Sequence, residues 1–592
     1  MNIWRVNVKK QTLEKEPVPE HWQTLGGRGL LAQIMVDEVK PTCEPLGPHN
    51  KLIFAPGLLV GHRLSSCDRI SVGGKSPLTG GIKESNAGGS TGLALTYLGI
   101  KALIIEDQPA GMRSSELGMG NEEPTPQPGH WWILHLSKEG ARWESADALA
   151  GKGVFETAAA LLDQYGDKVA ISLIGPGGEM RMAGAGIQNL DKDKTPSRIN
   201  ARGGLGAVMG SKGLKAIVFD QEGCDKPPIA DEKAYRAAQK YFVKELMEQP
   251  QTKSYADYGT AAMTNLTTIY GALPTRNFTV GQFEGAEKIG GEYMRDLLLA
   301  RGGASDTTHA CMAGCTIRCS NVFAGEDGQE IVSPLEYETI GLMGANLGIV
   351  SLDVIAQMNA QVNDLGLDSI EIGAALGVAA EAGLMDWGDG EKALDLIAEI
   401  RAGSALGRVL GNGAAMVGKV YGIERVPVVK GQAISAYDPR AIKGTGITYA
   451  TSPQGADHTC GLTIRANIDH LDPHIQHDLS RNAQFNVAGY DTLGACTFAG
   501  FGFAAAPGSI RDLLNARYGW QVPDSILQDL GKQTIRLEKE FNRRAGFTAA
   551  DDRLPEWMTR EPLAPTNAVF DVPDEILDTL FEELLTTDNQ MR

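Results

Sequence analysis

Three cysteines with three residues between each pair, Cys311-x3-Cys315-x3-Cys319, and a fourth far downstream in Asp491-Thr-Leu-Gly-Ala-Cys496, limit what this chain can fold around. Three clustered thiolates and one distant one suit a [4Fe-4S] cubane. Each iron takes one soft thiolate, and a distant fourth ligand staples two parts of a chain together. Structural zinc sites favour a two-residue gap in at least one cysteine pair, and radical SAM motifs close with such a gap, so both fit less well. Buried thiols acting as small hydrophobes are the bland alternative. The other four, Cys43, Cys67, Cys224 and Cys460, stand singly, unlike a secreted disulfide framework.

A chain of 592 residues is several times the size of one hydrophobic core, which predicts two to four domains and room for an internal site. Its net charge of -18 repels polyphosphate, and no basic patch offsets it, so nucleic acid is excluded as a partner. Met1 to Lys10 alternates Trp4, Val6 and Val8 with polar residues, which reads as a strand and not as an export signal. Every apolar run is broken before the roughly 20 residues that span a bilayer, so a cytoplasmic protein without a membrane segment is expected.

Up to about residue 220, short apolar runs such as Leu52 to Ala55, Leu103 to Ile105, Trp131 to Leu136 and Val169 to Ile174 are separated by Gly, Pro and Asp. After Pro227-Pro228 the period becomes helical, starting with Ala234, Ala237, Ala238, Tyr241, Phe242 and Leu246. The expected fold is α+β and multidomain: a β-rich domain over 1–220, a helical domain over 221–425 carrying the cysteine group, and a helical domain over 426–592 carrying the fourth cysteine. The second boundary is placed in Tyr421 to Val429, where a helical stretch meets Pro427.

Asn363-Asp-Leu-Gly-Leu-Asp368 and Asp491-Thr-Leu-Gly-Ala-Cys496 share one pattern and look like one device used twice. In the first copy Val354, Ile355, Met358, Val362 and Leu365 recur at helical spacing, and Gly366 is a natural stop. Asp368 with Glu371 also reads as a capping box opening the next helix. Two equivalent turns would present polar groups and helix ends to two equivalent parts of one ligand. Two glycine-rich segments accompany them, Arg69 to Gly89 with Lys75, Asn86 and Gly88, and Asn200-Ala-Arg202-Gly203-Gly204 through Gly210 to Lys212. Backbone amides freed by glycine, together with Arg, suit anionic oxygens. Neither segment has the spacing of an ATP or NAD fingerprint, and a set of plain β-turns is the alternative.

From Gly26-Gly-Arg-Gly29 through Lys75-Ser-Pro-Leu-Thr-Gly80 to Cys496, these residues closely resemble the aldehyde:ferredoxin oxidoreductase family of tungsten or molybdenum bis-pterin enzymes over nearly the whole chain. The resemblance implies a β-rich base for the bis-molybdopterin with helical domains closing over it, and a Mg2+ ion between the pterin phosphates. It places pterin contacts at Arg69, Asn86, Gly88, Asn200, Ala201, Gly203 and Gly204 in the first domain, and at Asn363, Leu367, Asp368, Asp491 and Thr497 in the helical ones. The cluster ligands fall on Cys311, Cys315, Cys319 and Cys496, although the family's archetype has two residues between its first two cysteines where this chain has three. No histidine lies between His309 and His458, and Gln357 stands near the position of a bridging glutamate, so a homodimer, if formed, is expected to lack a bridging iron.

The pair Tyr337-Glu338 aligns with the family's active-site Tyr-Glu, which implies Glu338 as general base taking a proton from water or a hydrated aldehyde. His458 would hydrogen-bond the carbonyl oxygen, in competition with His470, His474 and His477. With no second cluster motif, electrons must leave to a ferredoxin or a small iron-sulfur subunit. Two other readings stand beside oxidation of an aldehyde: a same-family reductase subunit acting on an aromatic acyl-CoA, and an electron-transfer subunit that has lost catalysis.

Overall fold

The computed structural model describes residues 1–109 and 131–586. Strands β1 (Asn2–Asn7), β2 (Thr12–Glu16), β3 (Leu52–Pro56), β4 (Ile70–Lys75), β5 (Ile82–Ala87) and β6 (Ile100–Glu106) form one six-stranded sheet in the order β2-β1-β6-β3-β4-β5. Strands β7 (Trp132–Ser137), β8 (Gly140–Ser145), β9 (Ala170–Leu173), β10 (Ile187–Asn189), β11 (Arg198–Asn200) and β12 (Leu214–Phe219) form a second, in the order β11-β10-β9-β12-β7-β8.

Read from the opposite edge, the second order repeats the first with every index raised by six. The senses repeat too. β1 runs parallel to β6 and β7 parallel to β12, while every other neighbouring pair in both sheets is antiparallel. Helices Gly27–Glu38 and Thr91–Tyr97 follow β2 and β5, and helices Val154–Tyr165 and Leu205–Ser211 follow β8 and β11. The β-rich base is therefore one topology laid down twice. The expected strands appear in the apolar runs, because β3, β4, β9 and β12 are buried along their whole lengths and need no polar face.

The chain beyond the second sheet is mainly helical, as expected, from Glu232–Glu248 to Glu582–Thr586, with only short strands such as Asp306–His309 and Ser320–Ala324 between. In the helix Glu232–Glu248 the buried stripe is Tyr235, Ala238, Phe242 and Leu246; Tyr241, read as part of it, is 41% exposed because it lies one residue off that face.

Three apolar cores hold the molecule. One lies between the two sheets, around Phe54, Ile133, Leu173 and Phe219. A second packs the outer face of the first sheet and helix Gly27–Glu38 against Tyr235, Phe242, Tyr490, Leu514 and Phe541. The third joins Leu273 to Val417 with Val429 to Ile464 and Leu554 to Leu584. Among the described residues no single helix is long and apolar enough to cross a membrane.

Candidate functional site

The matching turns dock on matching parts of the duplicated base. Helix Leu352–Leu365 stops at Gly366 (φ 70°, ψ 39°) and helix His477–Leu493 at Gly494 (φ 76°, ψ 23°). The left-handed glycine redirects the last amides, with Gly366 N–H donating to Asn363 O at 2.9 Å and Leu367 N–H to Val362 O at 3.0 Å. The second copy repeats this: Gly494 N–H donates to Asp491 O at 3.2 Å and Ala495 N–H to Tyr490 O at 2.9 Å.

Each turn then pairs with its own sheet. Gly186 N–H donates to Gly366 O at 2.9 Å and Asp368 N–H to Gly184 O at 2.9 Å, while Arg69 N–H donates to Gly494 O at 3.1 Å and Cys496 N–H to Ser66 O at 2.7 Å. Gly57 and Gly175, just past β3 and β9, permit the approach: a Cβ on Gly57 would lie 2.0 Å from Gly494 N, and one on Gly175 2.4 Å from Leu365 C.

The sixth residue of the turn differs. Asp368 accepts from Ile370 N–H at 3.0 Å and meets the Arg202 guanidinium at 3.3 Å. The expected capping box is only half formed. Asp368 N–H is already taken by Gly184, so Glu371 does not turn back and instead accepts from Ala414 N–H at 3.0 Å and Ala433 N–H at 2.9 Å. Cys496, the sixth residue of the other turn, joins the cysteine group.

The segment Arg63 to Ser66 carries that group. Ser65 Oγ lies 2.8 Å from Thr316 Oγ1 and accepts from Thr316 N–H at 3.2 Å, Ser66 Oγ lies 3.3 Å from Cys315 Sγ, and Ser66 O holds Cys496. The Cys311 thiol donates to Cys315, which pushes the Cys315 thiol down to about 5 and Cys311 up; burial pushes Cys319 and Cys496 up. Gly88 lies against this group, since a Cβ there would meet Cys311 Sγ at 3.2 Å.

Among the described residues, the only three metal-ligating side chains within 4.8 Å of one another are Asp191, Asp193 and His309. Arg198 already fills that cluster, 3.3 Å from His309 Nδ1 and 3.9 Å from Asp191. A closed zinc site would hold its sulfurs about 3.8 Å apart, given Zn–S bonds of about 2.3 Å. No three of the four thiols lie within 4.8 Å of one another, so they are not closed as a zinc site, and four soft donors suit a cluster.

Between the cysteines and the second turn stands Arg69. Its guanidinium bonds Asn86 Oδ1 and, at 3.1 Å, Asn86 O, and it faces the charges of Cys496, Cys311 and Asp491. Asn200, the counterpart of Asn86, donates to Ser85 O at 2.6 Å and accepts from Asn189 at 2.8 Å. Ala201 follows it, and Gly203 and Gly204 lie against Lys83 and Pro77.

The loop cations are committed to protein oxygens and are not left for phosphate. Arg202 reaches Ala433 O (2.6 Å), Ala456 O (2.7 Å) and Ser435 Oγ (3.2 Å); Lys75 reaches Cys43 O (2.8 Å) and Lys212 reaches Asn50 O (2.6 Å). A buried cation must find acceptors, and backbone carbonyls were the closest supply. Of the remaining expected contacts, Leu367 is buried and bridges Ala185, the main-chain oxygen of Asn363 caps its helix end, and Thr497 is exposed.

Glu338 sits at the other side of this seam. Its Oε2 accepts from Ala436 N–H at 2.8 Å; its Oε1 is buried without a hydrogen-bond partner and lies 3.4 Å from His458 Nε2. Burial pushes the Glu338 carboxyl above its ordinary value, with His458 pulling the other way. His458 Nδ1 lies 3.0 Å from Ser435 Oγ. The neighbouring Asp457 opposes its own burial: Lys83, at 2.9 Å, and Arg202 hold its carboxyl far below the usual range. The Tyr337 hydroxyl donates to Ala436 O at 2.5 Å and lies 3.0 Å from Thr267 Oγ1. Among the four competing histidines, only His458 meets Glu338; His470 is buried against Tyr270, and His474 is exposed.

Sequence reasoning missed the ion group beneath the second turn. Arg28 grips Glu538 with two bonds of 2.8 and 2.9 Å and reaches Asp491 at 3.3 Å. The one signal was a charge set among glycines in Gly26-Gly-Arg-Gly29. Buried Glu84 stands beside Asp491, and burial, then that neighbour, raise its carboxyl to about 8.

Comparison with known proteins makes the chain an oxidoreductase. The family model described as aldehyde ferredoxin oxidoreductase, N-terminal domain, matches residues 3–117 and 121–221, and that for domains 2 and 3 matches 237–587. The chain belongs to the aldehyde ferredoxin oxidoreductase family. It is 33% identical to a tungsten-containing aldehyde ferredoxin oxidoreductase of Pyrococcus furiosus, over 95% of this chain and 91% of that protein. The corresponding protein of Thermococcus kodakarensis is also 33% identical, over 93% and 89%. An aliphatic sulfonate oxidoreductase subunit of Pyrococcus furiosus is 25% identical, over 91% and 84%. The active-site complex of a benzoyl coenzyme A reductase, solved with 1,5-dienoyl-CoA, shares the fold with a TM-score of 0.76 at 19% identity, covering 100% of this chain and 94% of that one.

Proposed function

We propose that this protein oxidises an aldehyde to the carboxylic acid at a tungsten or molybdenum bis-pterin, and passes the electrons through one [4Fe-4S] cluster to a ferredoxin or small iron-sulfur subunit. The observation that carries this reading is the buried, unpartnered Glu338 oxygen facing His458. The relatives named as tungsten-containing aldehyde oxidoreductases support it.

In this reading Cys311, Cys315, Cys319 and Cys496 hold the cluster, and the two turns with Arg69, Asn86, Asn200, Asp368 and Asp491 hold the pterins. The metal-pterin group, when bound, supplies the acceptor for two electrons. Glu338 takes the proton of water or of the hydrated aldehyde; its raised affinity for protons suits a base that must be reloaded. His458 donates from Nε2 to the substrate oxygen, its ring held through Nδ1 by Ser435. Tyr337 positions Glu338 by locking the start of its helix to Ala436. Overall, aldehyde and water give carboxylic acid, two protons and two electrons.

The test is anaerobic purification from cells supplied with tungstate and molybdate, metal analysis, and a viologen-linked aldehyde screen. About four irons and about one tungsten or molybdenum per chain, with aldehyde-dependent viologen reduction, support the proposal. Full metal loading with no aldehyde oxidised across aliphatic, aromatic and sugar aldehydes sinks it.

A further inference from the structure

The loop of three cysteines comes to the surface between two exposed arginines. Gly314, at its crest, is exposed and packs on Arg63, since a Cβ on Gly314 would lie 2.9 Å from Arg63 O and 3.3 Å from Arg63 Cβ. Arg318, one residue before Cys319, is also exposed. Among the described residues neither guanidinium is in an ion pair, whereas the exposed Arg142, Arg236, Arg401, Arg543 and Arg560 are.

On the Cys496 side the rim is aromatic. Phe498 stacks on Tyr255 with ring centroids 4.3 Å apart, and the Arg465 guanidinium lies over Tyr255 and Phe501 at 4.9 and 5.9 Å. On the Cys311 side the exposed acid Asp193 is paired with Lys192 at 2.5 Å and lies in hydrogen-bond contact with His309 at 2.8 Å. Phe498 and Phe501 are half-buried, and arginine with aromatic rings is the composition enriched at protein interfaces.

We propose that this face, centred on Gly314 and flanked by Arg63 and Arg318, docks a small acidic iron-sulfur protein; this rests on the cluster assignment above. A chain of formal charge -18 repels an acidic partner as a whole, so unpaired arginines beside the cysteines favour its landing on this face. The face lies over the cysteines, so docking there brings the two clusters together. With the cluster bound by Cys311, Cys315, Cys319 and Cys496, one electron would pass per encounter, this chain's cluster being oxidised and the partner's reduced.

The experiment uses the anaerobically purified full chain and a purified acidic bacterial-type ferredoxin as probe. Binding is measured by calorimetry across a salt series, and electron transfer from dithionite-reduced ferredoxin by stopped flow. The double variant Arg63→Glu/Arg318→Glu is expected to bind at least tenfold more weakly at low salt and to lose most of the salt dependence. Iron content and direct reduction by viologen should stay within twofold, and charge reversal at exposed Lys419 should change nothing. Unaltered affinity in the double variant, or equal weakening by Lys419→Glu, overturns the proposal. Neither readout needs substrate turnover, so a protein that oxidises no aldehyde yet shows this pattern refutes the function above and leaves the docking face standing.

Discussion

His458 Nε2 lies 3.4 Å from Glu338 Oε1, an oxygen that nothing else in its surroundings satisfies. Two groups left facing each other with spare bonding capacity, beside an Asp457 that Lys83 and Arg202 already match, are positioned for a third party. Glu338→Gln keeps the shape and the Ala436 bond but removes the base. It is expected to lower viologen-linked turnover by about 10²- to 10⁴-fold while metal content is unchanged. Turnover within threefold of the parent would remove Glu338 from the reaction.

Arg28 serves two carboxylates that burial has stripped of water. Arg28→Met leaves Glu538 and Asp491 without their cation, which should cost about 3–5 kcal/mol in chemical denaturation. Arg28→Met combined with Glu538→Leu should recover part of the loss. A single variant as stable as the parent would show that the group is not a structural tie.

Gly57 and Gly175 seat equivalent turns, but only the first leads to a cysteine. Each substitution by Ala drives a Cβ into backbone that cannot move aside, at an expected cost of about 1–3 kcal/mol. Gly57→Ala should in addition lose iron, because the turn it seats delivers Cys496; Gly175→Ala should keep it. Equal iron in both variants would contradict the assignment of Cys496.

Glu84 gives the fold a pH dependence of known sign. Its carboxyl is raised from 4.5 to about 8 by burial and by Asp491, so the folded chain retains a proton that the unfolded chain has released. That contribution is complete below about pH 4.5 and disappears as pH rises through about 8. The melting temperature should therefore fall over this window, and Glu84→Gln should flatten the fall. Parallel curves for the two proteins would rule the group out as the cause.

Local features were legible in sequence where local physics decides them. Val354 to Gly366 reads as a helix with a glycine stop because periodicity and φ preference act within a few residues, and the buried strands stand out for the same reason. The doubling of the base was not legible. Strand order depends on which runs pair across the chain, and apart from Asn-Ala-x-Gly at 86–89 and 200–203 the two halves share little identity. The fates of Lys75, Arg202 and Lys212 were hidden in the same way: a cation beside glycines suggests an anion, whereas the fold supplied carbonyl oxygens first. Glu371 carries the capping-box spacing, yet a backbone bond to Gly184, in the turn before β10, had already claimed its partner. The Arg63 to Ser66 saddle has no motif at all, since its role comes from what lies across from it.

The repeated base also bears on direction. Two like sockets receive two like turns, which end on different chemistry at the sixth residue, a thiol at Cys496 and a carboxylate at Asp368. One socket opens toward the surface loop of cysteines, and the other closes on an internal guanidinium. Under the proposed function, a scaffold that is nearly symmetric thus has one conducting pole and one insulated pole. That polarity is carried by the side chains of the turn and of the cysteine loop and not by the architecture, which is the same at both poles.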